Sequence, residues 1–127
     1  MTTPRILIID DNPINVELAA FLLEADGFEV EASPDAEDAM SRIRGRRPDL
    51  LLMDIQLPGM NGLDLARRLK ADPALRGVAI VAFTAYAMKG DEANMRAAGC
   101  DGYISKPIDV STFAMQVRAC LGPARSG

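Results

Sequence analysis

Three aspartates and one lysine each stand just past a short apolar run. Asp10 and Asp11 follow Ile6-Leu7-Ile8-Ile9, Asp54 follows Leu50-Leu51-Leu52-Met53, and Lys106 follows Tyr103-Ile104-Ser105. Carboxylates gathered in one pocket repel one another unless a cation joins them, and a hard divalent ion with oxygen ligands relieves that repulsion. Mg²⁺ suits this donor set and Mn²⁺ could substitute, whereas zinc does not without histidine or paired cysteines. Carboxylates, a divalent ion and a lysine together are what phosphoryl transfer requires: an in-line nucleophile and positive charge at the equatorial oxygens. Asp54 is the candidate nucleophile. Asp11 and Asp54 are candidate Mg²⁺ ligands, with Asp10 a third ligand or one acting through water, and Lys106 is the candidate cation at a second phosphoryl oxygen. Thr84 closes the run Val81-Ala82-Phe83 and offers a hydroxyl to a third.

Each piece also has a plainer reading. Asp10-Asp11 can cap a helix, Asp54 can open the turn Leu57-Pro58-Gly59, and Thr84 can be a turn hydroxyl. The joint reading requires the apolar runs to be parallel strands of one sheet, so that all these groups emerge at its carboxyl-end edge.

The pattern meets that requirement. Apolar runs recur near 5–9, 28–32, 50–53, 78–83 and 102–105, and the central ones are continuous Ile, Leu and Val, as in strands buried on both faces. Segments of helical periodicity lie between them, giving a doubly wound five-stranded parallel α/β domain of (βα)5 type. Asn12-Pro13 and Ser33-Pro34 place a capping residue before proline at a helix start; Gly27 and Gly99 mark helix ends, and Asp109 caps the last helix. A first helix over about 13–25 should turn Ile14, Leu18, Phe21, Leu22 and Ala25 to the sheet, and a last helix over about 109–121 should turn Phe113, Val117 and Leu121.

The 127 residues, 49% of them apolar, suffice for a single domain, 1–127, with its core at about 5–121 and a frayed tail, 122–127. A net charge of −4 argues against nucleic acid or anionic membrane as partner, since both need clustered cationic surface. The basic run Arg42, Arg44, Arg46 and Arg47 reads as solvated or as complementing a helix dipole. Cys100 and Cys120 lack metal or redox spacing and read as small hydrophobes, which fits a reducing cytoplasm. The polar start, Met1-Thr2-Thr3-Pro4-Arg5, and the five apolar residues after it are too short for a signal peptide or membrane span. Histidine is absent, which removes imidazole bases and Ser-His or Cys-His nucleophiles.

Asp10-Asp11, Met53-Asp54, Leu57-Pro58-Gly59-Met60-Asn61-Gly62, Thr84-Ala85 and Lys106-Pro107, in that order across about 5–121, resemble the receiver domain of two-component response regulators. The resemblance implies the CheY-like, flavodoxin-like strand order 2-1-3-4-5. It implies that Asp54 accepts phosphate from a histidine kinase or histidine phosphotransfer protein, a phosphorelay in which the partner supplies the missing histidine. It implies that Asp10, Asp11, Asp54 and the backbone carbonyl of Gln56 bind Mg²⁺, that Thr84 and Lys106 contact the phosphoryl group, and that Lys106-Pro107 is a cis peptide. It also implies a switch in which Tyr103 turns inward as Thr84 moves, signalling through helix 4, strand 5 and helix 5. The stretch from Phe83 to Glu92 resembles stand-alone, DivK-type single-domain receivers and receivers attached to hybrid kinases. About twenty residues after Lys106 leave room for a last helix and no DNA-binding or enzymatic output module, so output is a contact with a downstream protein effector, from a monomer or weak dimer. Gln56 and Tyr86 flank the phosphate without a carboxylate to orient water, which implies a long-lived phosphoryl-aspartate.

Three other readings compete. A haloacid-dehalogenase-type phosphatase needs a spaced DxD, where this chain has Asp10-Asp11-Asn12, and a cap domain. A phosphorylation-independent adaptor on the same fold usually loses part of the site, which is complete here. A flavin binder would meet repulsion from Asp10-Asp11 at its phosphate.

Overall fold

The computed structural model describes residues 3–55, 62–75, 77–85 and 89–121, with the backbone alone described at 89–92. Gln56 and 57–61, Tyr86 and the tail 122–127 lie outside the described residues.

Five strands, β1 (Arg5–Ile9), β2 (Glu29–Ser33), β3 (Leu50–Asp54), β4 (Ala79–Thr84) and β5 (Gly102–Ser105), alternate with helices α1 (Pro13–Ala25), α2 (Ala36–Gly45), α3 (Gly62–Ala71), α4 (Lys89–Ala97) and α5 (Phe113–Leu121). The strands pair in parallel in the order β2-β1-β3-β4-β5. Every residue of β3 and β4 is buried, because helices cover both faces of the sheet.

Alternation along each strand divides the core in two. Leu51, Met53, Ile80 and Ala82 pack with α2, α3 and α4. Leu50, Leu52, Val81 and Phe83 pack with α1 and α5. Burying a side chain of this size contributes about 1.5–3 kcal/mol, so both layers drive the fold.

Helix boundaries follow local hydrogen bonding. Asn12 caps α1, its side-chain oxygen accepting from the N–H of Ile14 at 3.0 Å, with Pro13 as first helical residue. Gly27 and Gly99 end their helices at φ of 94° and 104°, the left-handed region that a side chain resists. Three expectations need correction. In α1 the inward face is Ala19 and Leu23, flanked by Val16, Ala20 and Leu22, while Ile14 is 75% and Phe21 69% exposed. That helix is apolar on nearly every side, so spacing could not select the face; small Ala19 and Ala20 allow the closer approach. In α2 the cap is Asp35, which accepts from the N–H of Asp38 at 2.8 Å, and Ser33 instead ends β2 with its hydroxyl bonded to the Asp38 carboxylate. The regular part of α5 begins at Phe113, although Phe113, Val117 and Leu121 do form its buried face. Asp109 Oδ1 is taken by the hydroxyl and N–H of Ser111, at 2.7 and 3.0 Å, which holds 110–112 in turns.

Two members of the basic run, Arg42 and Arg46, pair at the β2 edge, while Arg47 donates to the Ala74 carbonyl at 2.9 Å. Arg42 pairs with Asp38 at 2.6 Å and Glu31 at 3.1 Å, and Arg46 with Glu29 at 3.4 Å. The hydrogen bonds from Arg42 and then Ser33 hold the Asp38 carboxyl below the usual carboxylate range.

Candidate functional site

Parallel register brings the strand ends into line. Ile9 pairs with Met53, Asp54 with Phe83, Phe83 with Ile104 and Thr84 with Ser105. Asp10 and Lys106 therefore continue β1 and β5 at the edge where Asp54 and Thr84 end β3 and β4. Alternation assigns them to layers: Asp10, Asp54 and Lys106 share the parity of the α1 and α5 layer, while Thr84 and Tyr103 share that of the α2, α3 and α4 layer.

One carboxylate oxygen from each of Asp10, Asp11 and Asp54 lies within 4.8 Å of the others. Asp10 and Asp54 are buried and Asp11 is exposed. The ammonium of Lys106 stands 3.2 Å from Asp54 Oδ2, which accepts its hydrogen bond, and 3.1 Å from Asp10 Oδ2. The latter oxygen receives charge but no hydrogen bond, although it is buried. Asp10 Oδ1, by contrast, accepts from the N–H of Asn12 at 2.9 Å. Among the described residues three carboxylates face one ammonium, and one buried carboxylate oxygen receives no hydrogen bond. An oxygen-seeking divalent cation fits such a donor set, and a soft metal does not.

The surrounding backbone fixes these groups. The N–H of Lys106 donates to the carbonyl of Thr84 at 2.7 Å, tying the ends of β4 and β5, and the Lys106-Pro107 peptide is cis. The N–H of Gly62 donates to the carbonyl of Ile55 at 2.8 Å. A Cβ at Gly62 would come within 2.7 Å of the Asp54 carbonyl oxygen, so α3 can start this close to the site only with glycine.

Asp10, Asp11, Asp54 and Lys106 are thus brought together. Thr84 is 4% exposed at the end of β4, and Tyr103 is 38% exposed on β5. Tyr103 borders a groove of about 370 Å³ lined also by Ile104, Ser105, Pro107, Asp109 and Gln116. The rate-tuning expectations for Gln56 and Tyr86, and a Mg²⁺ contact from the Gln56 carbonyl, fall outside the described residues. Sequence reasoning missed two contributors. Gly62 entered only as part of a motif, and Phe83 only as core, yet the Phe83 ring centroid lies 4.8 Å from the Lys106 ammonium. Its position directly before Thr84 was the available signal.

The cysteines stay apart from this site, in opposite layers, both as free thiols. Burial pushes the Cys100 thiol up to about 11, so it is neutral and inert at ordinary pH. Among the described residues no helix is long and apolar enough to cross a membrane.

Comparison with known proteins agrees with this geometry. A family model described as the response regulator receiver domain matches residues 6–118. The polar-differentiation response regulator DivK of Brucella anthropi is 44% identical over 119 residues, covering 94% of this chain and 97% of that protein. Chemotaxis response regulator CheY4 of Vibrio cholerae shares the fold at a TM-score of 0.89 and 21% identity, over 94% of this chain and 99% of that one. A putative response regulator from Chloroflexus aurantiacus, 28% identical, also has a TM-score of 0.89, over 94% and 98%.

Proposed function

Since the chain belongs to the response regulator receiver domain family, we propose that it is a phosphoacceptor switch of two-component signalling, with Asp54 the residue modified. The family implies a histidine kinase as partner; the direct donor is that kinase or a histidine phosphotransfer protein. The observation that carries the reading is the convergence of Asp10, Asp11 and Asp54 within 4.8 Å beside Lys106.

An Asp54 carboxylate oxygen attacks the donor phosphorus, forming a P–O bond as the P–N bond to the donor imidazole breaks. The leaving nitrogen keeps the electron pair and is protonated from solvent. Lys106 follows the transferred charge from the carboxylates to a phosphoryl oxygen, and the Thr84 hydroxyl donates to another. Asp11 and Asp54 would hold Mg²⁺, with Asp10 as a ligand or through water and the Gln56 carbonyl completing the protein's share. The bound ion supplies positive charge against the phosphoryl oxygens, and the buried, undonated Asp10 Oδ2 favours its presence.

The phosphorylated state draws Thr84 toward the phosphoryl group, and Tyr103, of the same parity, fills the space left behind. The altered surface of α4, β5 and α5 is then read by a downstream protein, and residues 1–127 act as one cytoplasmic receiver domain. Gln56 and Tyr86 offer no carboxylate to orient water, which favours slow hydrolysis. This is a signalling domain rather than a turnover enzyme.

Intact-mass spectrometry after incubation with acetyl phosphate tests the reading. One phosphoryl adduct should form with Mg²⁺, disappear with chelator, and be absent from Asp54→Asn. An adduct that persists in Asp54→Asn would move the acceptor elsewhere.

A further inference from the structure

Phe83 is wholly buried in the core and stands beside the reacting residues. It pairs with Asp54 across β3 and β4, on the sheet face that Asp10, Asp54 and Lys106 share. The Phe113 ring, 5.9 Å away between centroids and tilted by 45°, braces it from α5. The Lys106 ammonium stands 4.8 Å from the Phe83 centroid, and the lysine side chain is 16% exposed.

We propose that Phe83 is a positioning residue for Lys106, its ring face seating the ammonium at the pocket wall while a divalent ion occupies the carboxylates. The inference rests on Asp54 being the phosphoacceptor. Lys106 is now held by Asp54 Oδ2 and Asp10 Oδ2, at 3.2 and 3.1 Å. Both residues belong to the group of carboxylates a metal would claim. With that ion in place the ammonium loses partners and gains a like-charged neighbour, so repulsion drives it toward water. An aromatic face attracts a cation through its quadrupole and cannot ligate a hard metal, so it holds the lysine without competing for the ion. The bracing by Phe113 keeps that face turned to the pocket. An aliphatic side chain of similar size fills the core but provides no such seat.

Fluorinated phenylalanines with one, two or three ring fluorines, placed at position 83, weaken the quadrupole at nearly constant ring volume. They also keep the question open to test should Phe83→Leu fail to fold. The chain has three lysines, Lys70, Lys89 and Lys106, which makes assignment of the Lys106 side-chain methylene protons tractable by NMR. In the wild type with Mg²⁺ those protons should be displaced by the ring current, and the displacement should vanish in Phe83→Leu. The acetyl phosphate reaction rate at saturating Mg²⁺ should fall stepwise with fluorination, about three- to thirty-fold by the third fluorine. That dependence should disappear in a Lys106→Ala background. An unshifted Lys106 resonance, or a rate indifferent to fluorination, overturns the proposal. Should the wild type take up no phosphoryl group at all, the phosphoacceptor reading fails, and the Lys106 resonance still decides whether Phe83 seats the ammonium.

Discussion

Asp10→Asn should make the metal-free protein more stable and deprive it of its response to Mg²⁺. Asp10 is buried, and one of its oxygens lies within 4.8 Å of an Asp54 oxygen. At an effective dielectric of about 20, that separation corresponds to at least ~3.5 kcal/mol of repulsion. Exposed Asp11 adds a smaller, screened amount. The opposing attraction to Lys106 at 3.1 Å is ~5 kcal/mol on the same scale. The Coulomb contributions therefore nearly cancel, leaving the cost of desolvating a carboxylate, which is several kcal/mol. Asparagine keeps the oxygen that accepts from the Asn12 N–H, and Lys106 retains Asp54 as partner. Restoring a polar amide to the pocket returns part of the gain, so the expected stabilisation is about 1–3 kcal/mol, or about 4–12 °C in Tm for a domain of this size. Thermal and urea unfolding in EDTA and in millimolar Mg²⁺ measure it. Wild type should rise with Mg²⁺ as binding to the native state requires, and Asp10→Asn should start higher and move little. A metal-free Asp10→Asn less stable than wild type would refute the reasoning, since the carboxylate would then be a net support of the fold.

Gly62→Ala forces a Cβ to 2.7 Å from the Asp54 carbonyl oxygen and should cost about 2–3 kcal/mol in urea unfolding while slowing adduct formation; wild-type stability would show that α3 has room. Arg118 donates to Asp26 at 2.9 Å and lies 4.5 Å over the Phe28 ring, both partly exposed, so Arg118→Ala should lower stability by about 1 kcal/mol, and an unchanged Tm would show the clasp to be idle. With its thiol near 11, Cys100 should resist Ellman's reagent at pH 8 until the chain unfolds, with half-buried Cys120 labelled first; rapid native labelling of both would contradict the burial. Tyr103→Ala should still take up the phosphoryl group yet weaken binding of the phosphorylated form to its downstream protein, and unchanged binding would sink the coupling of Tyr103 to the site.

Strand positions were legible because β3 and β4 are buried on both faces and so write themselves as uninterrupted apolar runs. The site was legible for a related reason: charged residues directly after such runs can only emerge at the sheet edge. Faces of helices were harder. In α1, apolar residues on every side left the orientation to tertiary packing, and Ile14 and Phe21 turned outward. Boundaries decided by a single hydrogen bond, at Asp35 and Asp109, were displaced by two to four residues for the same reason: Asp, Ser and Asn compete for the same donors. Phe83 was passed over because an apolar residue in a core strand looks like packing, and only its place directly before Thr84 pointed to the site.

Phe83 and Thr84 are neighbours along the chain yet belong to opposite layers of the molecule. In the proposed switch the layer of α1 and α5 would carry the lysine and carboxylates, while the layer of α2, α3 and α4 would meet the threonine as it moves. The proposed output surface draws α4 from one layer and α5 from the other, with β5 between them, so the partner that reads it would touch both layers at once.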